Sequence, residues 1–156
     1  MQLSQPLSDL LAPLFEALPL ERAMPELVPV KPRQDPLINM VHAMTCDPLI
    51  KKNPPLQAAL WLYVDDLDRS HAVSQTIETP IGSLWHGIMH RREGDFWNSK
   101  YWFRKAGHTE ALAGMDPSSF VDRVEQTYKD NPPELLDYQR REWTTLFEWC
   151  VTECGI

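Results

Sequence analysis

Fourteen prolines stand in this chain of 156 residues, and more than half of them fall before residue 56. Each fixes φ and removes a backbone donor, so no long helix can run through that region. Residues 1–56 therefore read as short helical pieces: Leu7–Leu18 interrupted by Pro13, then Leu20–Leu27, then a Pro-rich segment Val28–Pro36. Such pieces form an arm or cap on the rest rather than a separate domain. Asp35-Pro36 caps and starts a further helix, with Leu37, Met40, Val41 and Met44 on one face. His42 beside them reads as a surface or internally satisfied histidine.

From Pro54 the pattern turns helical. Leu60, Val64, Leu67, His71 and Ser74 recur at alternating four- and three-residue spacing, which predicts one helix with His71 facing inward. Asp65, Asp66, Asp68 and Arg69 fall largely off that stripe and predict its solvated face. Thr79-Pro80-Ile81-Gly82 breaks the pattern. The next helix, about Gly82 to Glu93, is apolar nearly all round and so should be central. Gly94 suits the left-handed position past its end. Asp95 caps a helix Phe96–Ala106, which Gly107 stops. Asp116-Pro117 opens a helix to about Lys129, and Asn131-Pro132-Pro133-Glu134 opens a last one to about Glu153, ended by Gly155. Leu136, Trp143, Phe147, Cys150 and Cys154 share a stripe on it. No strand alternation or hairpin signal appears. The expected fold is all-α: a single domain over 1–156, an irregular bundle of five to seven helices, with residues 57–156 as its core.

Charge narrows the function classes. Fifteen basic against 22 acidic residues give −7, with a pI near 5.2, which argues against a nucleic-acid footprint. The one basic cluster, Arg91, Arg92, Lys100, Arg104 and Lys105, is interleaved with Glu93 and Asp95. With no signal pattern and no apolar run near the length of a membrane span, the expected partners include no membrane and the expected location is the cytoplasm. Three cysteines make an odd number and argue against a disulfide framework. Cys150 and Cys154, one helical turn apart, read as a buried apolar pair.

Chemistry concentrates in His71–His108, which holds four of the five histidines and three of the six tryptophans. On a helix, His86, His90 and Glu93 fall within an arc of about 60° at 100° per residue. Two imidazoles four apart can chelate one divalent ion. Glu93 is then a third ligand or a general base, and His71 a ligand from across the bundle. Three such donors and an open position make a catalytic metal site. The alternatives are a metal-free polar pocket with histidines as acid–base groups, or histidines that only support the structure. Arg91, Arg92, Glu93, Asp95, Asn98, Tyr101 and Arg104 form a second constellation. It reads either as an ion-pair network between helices or as an anion site built on arginine forks. Of Trp85, Trp97, Tyr101, Trp102 and Phe103, most should be core, with one or two lining a pocket for a flat or sugar-like ligand.

The residues His71-x-x-Ser74-Gln75, Gly82-x-x-Trp85-His86-x-x-Met89-His90-Arg91-Arg92-Glu93-Gly94-Asp95, Asn98, Tyr101-Trp102-Phe103-Arg104 and Gly107-His108 resemble a pattern in a family of small bacterial and fungal proteins with no known activity. The resemblance covers about a quarter of the chain. It implies a shared site and transfers no function.

The sequence thus points to a small helical enzyme or ligand-binding protein whose pocket is His71, Gln75, His86, His90 and Glu93. Arg91, Arg92, Asn98, Tyr101 and His108 are expected to orient a small polar or anionic molecule. A divalent metal, whether zinc, iron or manganese, would sit first on His86 and His90 and then on His71. The reaction would be metal-assisted hydrolysis or proton transfer. A rival expectation is a non-catalytic interaction module, in which the His/Arg network is structural and the Pro-rich arm binds a partner or a second copy as a homodimer.

Overall fold

The computed structural model describes residues 3–30, 36–112 and 114–155. Among them are nine α-helices and no strand: α1 (Gln5–Ala17), α2 (Pro36–Cys46), α3 (Pro48–Lys51), α4 (Pro54–Tyr63), α5 (Leu67–Ser74), α6 (Pro80–Glu93), α7 (Phe96–Ala106), α8 (Pro117–Thr127) and α9 (Pro133–Cys154). The all-α class stands, and the described residues hold nine helices rather than the expected five to seven, the stretch from Pro54 to Ser74 dividing in two and the four-residue α3 counting separately. The expected cap at Asp35 lies outside the described residues. None of the helices is long and apolar enough to cross a membrane.

The N-terminal stretch departs from its prolines in two ways. α1 runs through Pro13 without a break. A proline in a helix interior costs about 3 kcal/mol. Leu7, Leu11, Leu14 and Leu18 line one face and are buried, at roughly 1.5–3 kcal/mol each, and Pro13 itself is exposed, where water serves the carbonyl that loses its donor. Packing therefore outweighs the proline.

The expected helix Leu20–Leu27, by contrast, shrinks to a single 3-10 turn, Leu20–Arg22. Residues 23–27 form an irregular strap, with Met24 at φ 49°. Its backbone groups are taken from elsewhere. Arg140 Nε donates to the Ala23 carbonyl (3.0 Å), Gln139 Nε2 and Arg92 donate to the Glu26 carbonyl (3.1 and 3.3 Å), and the Leu27 amide donates to Asn131 Oδ1 (2.8 Å). Carbonyls committed to a helical ladder could not accept these bonds.

The single helix expected from Pro54 to Ser74 is two, α4 and α5, parted at Val64–Asp66. Asp65 takes the left-handed conformation, φ 61°. It does not face solvent: it is only 6% exposed, and its carboxylate accepts from Arg92 at 2.5 Å. The same guanidinium donates to the Leu62 carbonyl (3.0 Å) in the last turn of α4, which also accepts from the Asp65 amide (3.1 Å). Asp66 then caps α5 through the Arg69 amide (3.1 Å).

α6 is the central helix that its composition predicts. Thr79 caps it, Gly94 at φ 85° ends it, and every residue from Gly82 to Arg92 is buried. Gly87 lies in mid-helix, where glycine costs about 1 kcal/mol. A Cβ there would stand 3.0 Å from the Phe103 ring of α7, so the glycine is what lets the two helices close. Ser99 Oγ seals the crossing by donating to the Gly87 carbonyl (2.7 Å).

α9 braces the other side. Trp143 Nε1 donates to the Ala59 carbonyl (2.9 Å), and its ring stacks on Phe147 and leans on Tyr63. Tyr63 in turn donates to the Leu18 carbonyl (2.6 Å). Cys150 is buried, and burial pushes its thiol up to about 12. It packs as a small apolar residue, as its stripe predicts. α8 ends at Thr127, two residues short of the expected end at about Lys129, and passes into a 3-10 turn, Tyr128–Asp130.

Candidate metal-binding site

His71 stands in the last turn of α5, and His86 and His90 stand one turn apart on α6. The three rings meet: centroids are 4.6 Å apart for His71 and His86, 5.4 Å for His71 and His90, and 4.7 Å for His86 and His90. One nitrogen from each lies within 4.8 Å of the other two. His86 and His90 are buried and His71 half-buried, so the cluster opens to solvent on the α5 side.

On two of the three rings Nδ1 is engaged. His86 Nδ1 is 2.9 Å from Ser74 Oγ, and that hydroxyl also lies 3.3 Å from the His71 carbonyl. A hydroxyl has one proton to give. Given to the carbonyl, it leaves an oxygen lone pair for an Nδ1–H on His86, whose Nε2 then carries its free pair into the cluster. His90 Nδ1 is 3.0 Å from Glu93 Oε2. That bond likewise occupies Nδ1 of His90 and leaves Nε2 as its nitrogen for a ligand.

The environment favours the neutral form of His86 and His90. Burial drives the His86 pKa down to about 3, with His90, His71 and Lys105 adding to the shift. Burial also lowers His90, against an opposing pull from Glu93. Neutral imidazole is the form that offers a lone pair. Trp102 walls one side, its ring 4.1 Å from that of His86, and Lys105 Nζ rests 4.1 Å over the same indole.

The other residues expected at the site are placed as follows. Glu93 is half exposed and bonds the back of His90, so it orients a histidine and is not in the cluster of converging nitrogens. Arg91 and Arg92 point away and are fully buried. Arg91 makes a two-pronged pair with Glu142 (3.0 and 2.6 Å) under the Phe120 ring, and Arg92 pairs with Asp65. Of the two accounts of the arginines, the ion-pair network between helices is the one their surroundings match. Gln75 is exposed at the end of α5. Asn98 donates to Asp95 Oδ2 (2.6 Å) within the cap of α7. Tyr101 is 43% exposed and stands edge-on to Trp102. His108 is exposed and lines a separate cavity of about 240 Å³ with Leu84, Phe103 and Met115.

Sequence reasoning left Ser74, Trp102 and Lys105 out of the site. Ser74 follows His71 by three residues on the same stripe, and Lys105 follows Tyr101 by four; spacing alone carried that signal. No family model, curated protein or solved structure matches the chain.

Proposed function

We propose that His71, His86 and His90 bind one divalent cation, zinc, iron or manganese, and that the protein uses it for hydrolysis or proton transfer on a small polar or anionic molecule. The convergence of three imidazole nitrogens from two helices carries this reading. Nitrogens bound at about 2.1 Å in tetrahedral geometry stand roughly 3.4 Å apart, so an ion would draw the rings inward from their spread of up to 4.8 Å. Three neutral donors leave the full charge of the ion undiminished. A divalent ion held by three protein ligands lowers the pKa of a water in its open position and polarises a substrate oxygen.

The chain's own residues hold that arrangement. Glu93 and Ser74 fix the ring orientations and tautomers of His90 and His86, the usual second layer of a histidine metal site. Trp102 covers His86 and keeps water from that side. The half-exposed His71 leaves the approach for a substrate.

One observation favours the rival reading, an interaction module. The arginines expected to grip an anion are buried in ion pairs. Metal analysis separates the two. Protein purified without chelator, or loaded and desalted, should carry one ion per chain, lost in His71→Ala, His86→Ala and His90→Ala. Glu93→Gln should bind 10- to 100-fold more weakly. A folded wild type that retains none of zinc, iron or manganese after loading would overturn the reading.

A further inference from the structure

Trp97 is 71% exposed and Tyr101 43%, two of three large hydrophobic residues so exposed among the described residues. They stand one turn apart on α7, rings parallel within 10° and centroids 6.2 Å apart. This pair adjoins the histidine cluster: Tyr101 meets Trp102 edge-on at 5.6 Å, and Trp102 lies against His86.

Charge on the helix is one-sided. The chain has 22 acidic residues, yet Phe96–Ala106 contains none. Lys100 is matched by Asp122 and Glu125. Arg104 and Lys105 are exposed, and no carboxylate among the described residues pairs with either. The Lys105 ammonium is parked over Trp102, whose ring lies against His86.

We propose that this face of α7 is the substrate platform of the metal site, and that it takes an anion joined directly to a flat ring: the anion at Lys105, the ring on Tyr101 and Trp97. The inference rests on the metal reading for its chemistry and on α7 for its specificity. Aromatic faces hold flat rings by stacking, worth about 1–3 kcal/mol per ring, or roughly five- to 150-fold in affinity. An ammonium beside them adds charge recognition that a neutral ring cannot use. The Trp102 ring, its centroid 5.6 Å from that of Tyr101 and 4.1 Å from Lys105 Nζ, stands between the ring site and the anion site. That spacing suits an aryl carboxylate or an aryl phosphate, whose anion is attached to the ring with no long linker. An ion on the triad would add its own charge beside Lys105.

Zinc-loaded protein titrated by calorimetry tests this, with zinc content measured on the same samples. Benzoate and phenyl phosphate should each bind at least tenfold more tightly than acetate, methyl phosphate or phenol, and whichever binds more tightly identifies the acid. Lys105→Gln should reduce the advantage over phenol at least fivefold. Trp97→Ala with Tyr101→Ala should erase the advantage over acetate and methyl phosphate. Both aromatics are surface residues, so urea midpoints should hold in these variants and separate lost binding from lost folding. Zinc bound at one per chain with no preference for ring acids would overturn the platform and leave the metal site standing. A ring-acid preference that survives all three substitutions would also overturn it. Ring acids bound through Trp97, Tyr101 and Lys105 by a protein that takes no zinc would support the platform and overturn the metal reading.

Discussion

Arg91→Met tests whether the arginines of α6 hold the fold or grip a ligand. Arg91 and Glu142 have side chains 0% and 1% exposed and meet through two bonds of 3.0 and 2.6 Å. Removing one partner leaves the other charge buried and uncompensated, which costs about 3–5 kcal/mol. For a domain of this size each kcal/mol moves Tm by roughly 2–4 °C, so Arg91→Met and Glu142→Leu should each melt about 6–20 °C below wild type. The pair also has a flaw: Arg91 Nε is buried without a hydrogen-bond partner. An apolar replacement of both residues removes two desolvated charges together with that orphan donor. The double variant Arg91→Met/Glu142→Leu should therefore recover most of the loss and stand within about 1–2 kcal/mol of wild type. Urea unfolding followed by circular dichroism closes the cycle, with a coupling energy of at least about 3 kcal/mol expected. Single variants that lose under about 1 kcal/mol, or a double variant as unstable as the sum of the singles, would refute the argument. Zinc binding by the double variant should match wild type, since neither residue touches the histidines.

Acid should unfold the protein partly through His86. Its folded pKa, about 3, lies below the ordinary 6.5, so between those values the unfolded chain binds the extra proton. Its share of stability is complete above about pH 6.5 and falls as pH drops toward 3, at up to about 1.4 kcal/mol per pH unit; His90 is shifted the same way. Urea midpoints at pH 7.0 and 4.5 should fall more steeply for metal-free wild type than for His86→Leu, and equal slopes would remove the argument. Asp65→Asn keeps the shape but strips Arg92 of its counter-charge. It should cost about 2–4 kcal/mol and weaken zinc at least tenfold in a chelator competition, although Asp65 lies outside the cluster; undiminished zinc affinity would show that the α4–α5 turn does not position His71.

What the sequence disclosed was local. Caps and stops at Asp95, Gly94 and Gly155 depend on residues within one turn, and all three act as their positions predict. The shared face of His86, His90 and Glu93 follows from helical geometry alone, although Glu93, the last residue of α6, bonds the back of His90 instead of joining it in the cluster. What it concealed was long-range. The α4–α5 break depends on Arg92, some 30 positions along the chain. The strap at 23–27 depends on Asn131, Gln139 and Arg140, more than 100 positions along. Periodicity reads each stretch as if it answered only to itself, and here a buried side chain from another helix supplies the partner that a helical ladder would have supplied. Pro13 shows the reverse: a local breaker overruled by four buried leucines.

The same long-range bonds explain why three imidazoles can meet at all. Successive residues of α6 point 100° apart, so one helix addresses several neighbours at once. His86 and His90 face α5, Arg91 faces α9, and Arg92 faces the α4–α5 turn and the strap. Arg92 holds both the Leu62 carbonyl, where α4 ends, and Asp65, the residue that turns the chain. It thereby sets where α5 begins and along which line His71 is carried back toward α6. The glycine at 87 does the corresponding work for α7, bringing it close enough to lay Trp102 on His86. Drawing the three nitrogens in from a spread of up to 4.8 Å onto one ion requires that α5 already be held against α6, which a loosened turn would not do. On the metal reading, the buried arginine therefore acts on the proposed site through position rather than contact, and Asp65, which pairs with that arginine, should matter to zinc affinity without touching the ion.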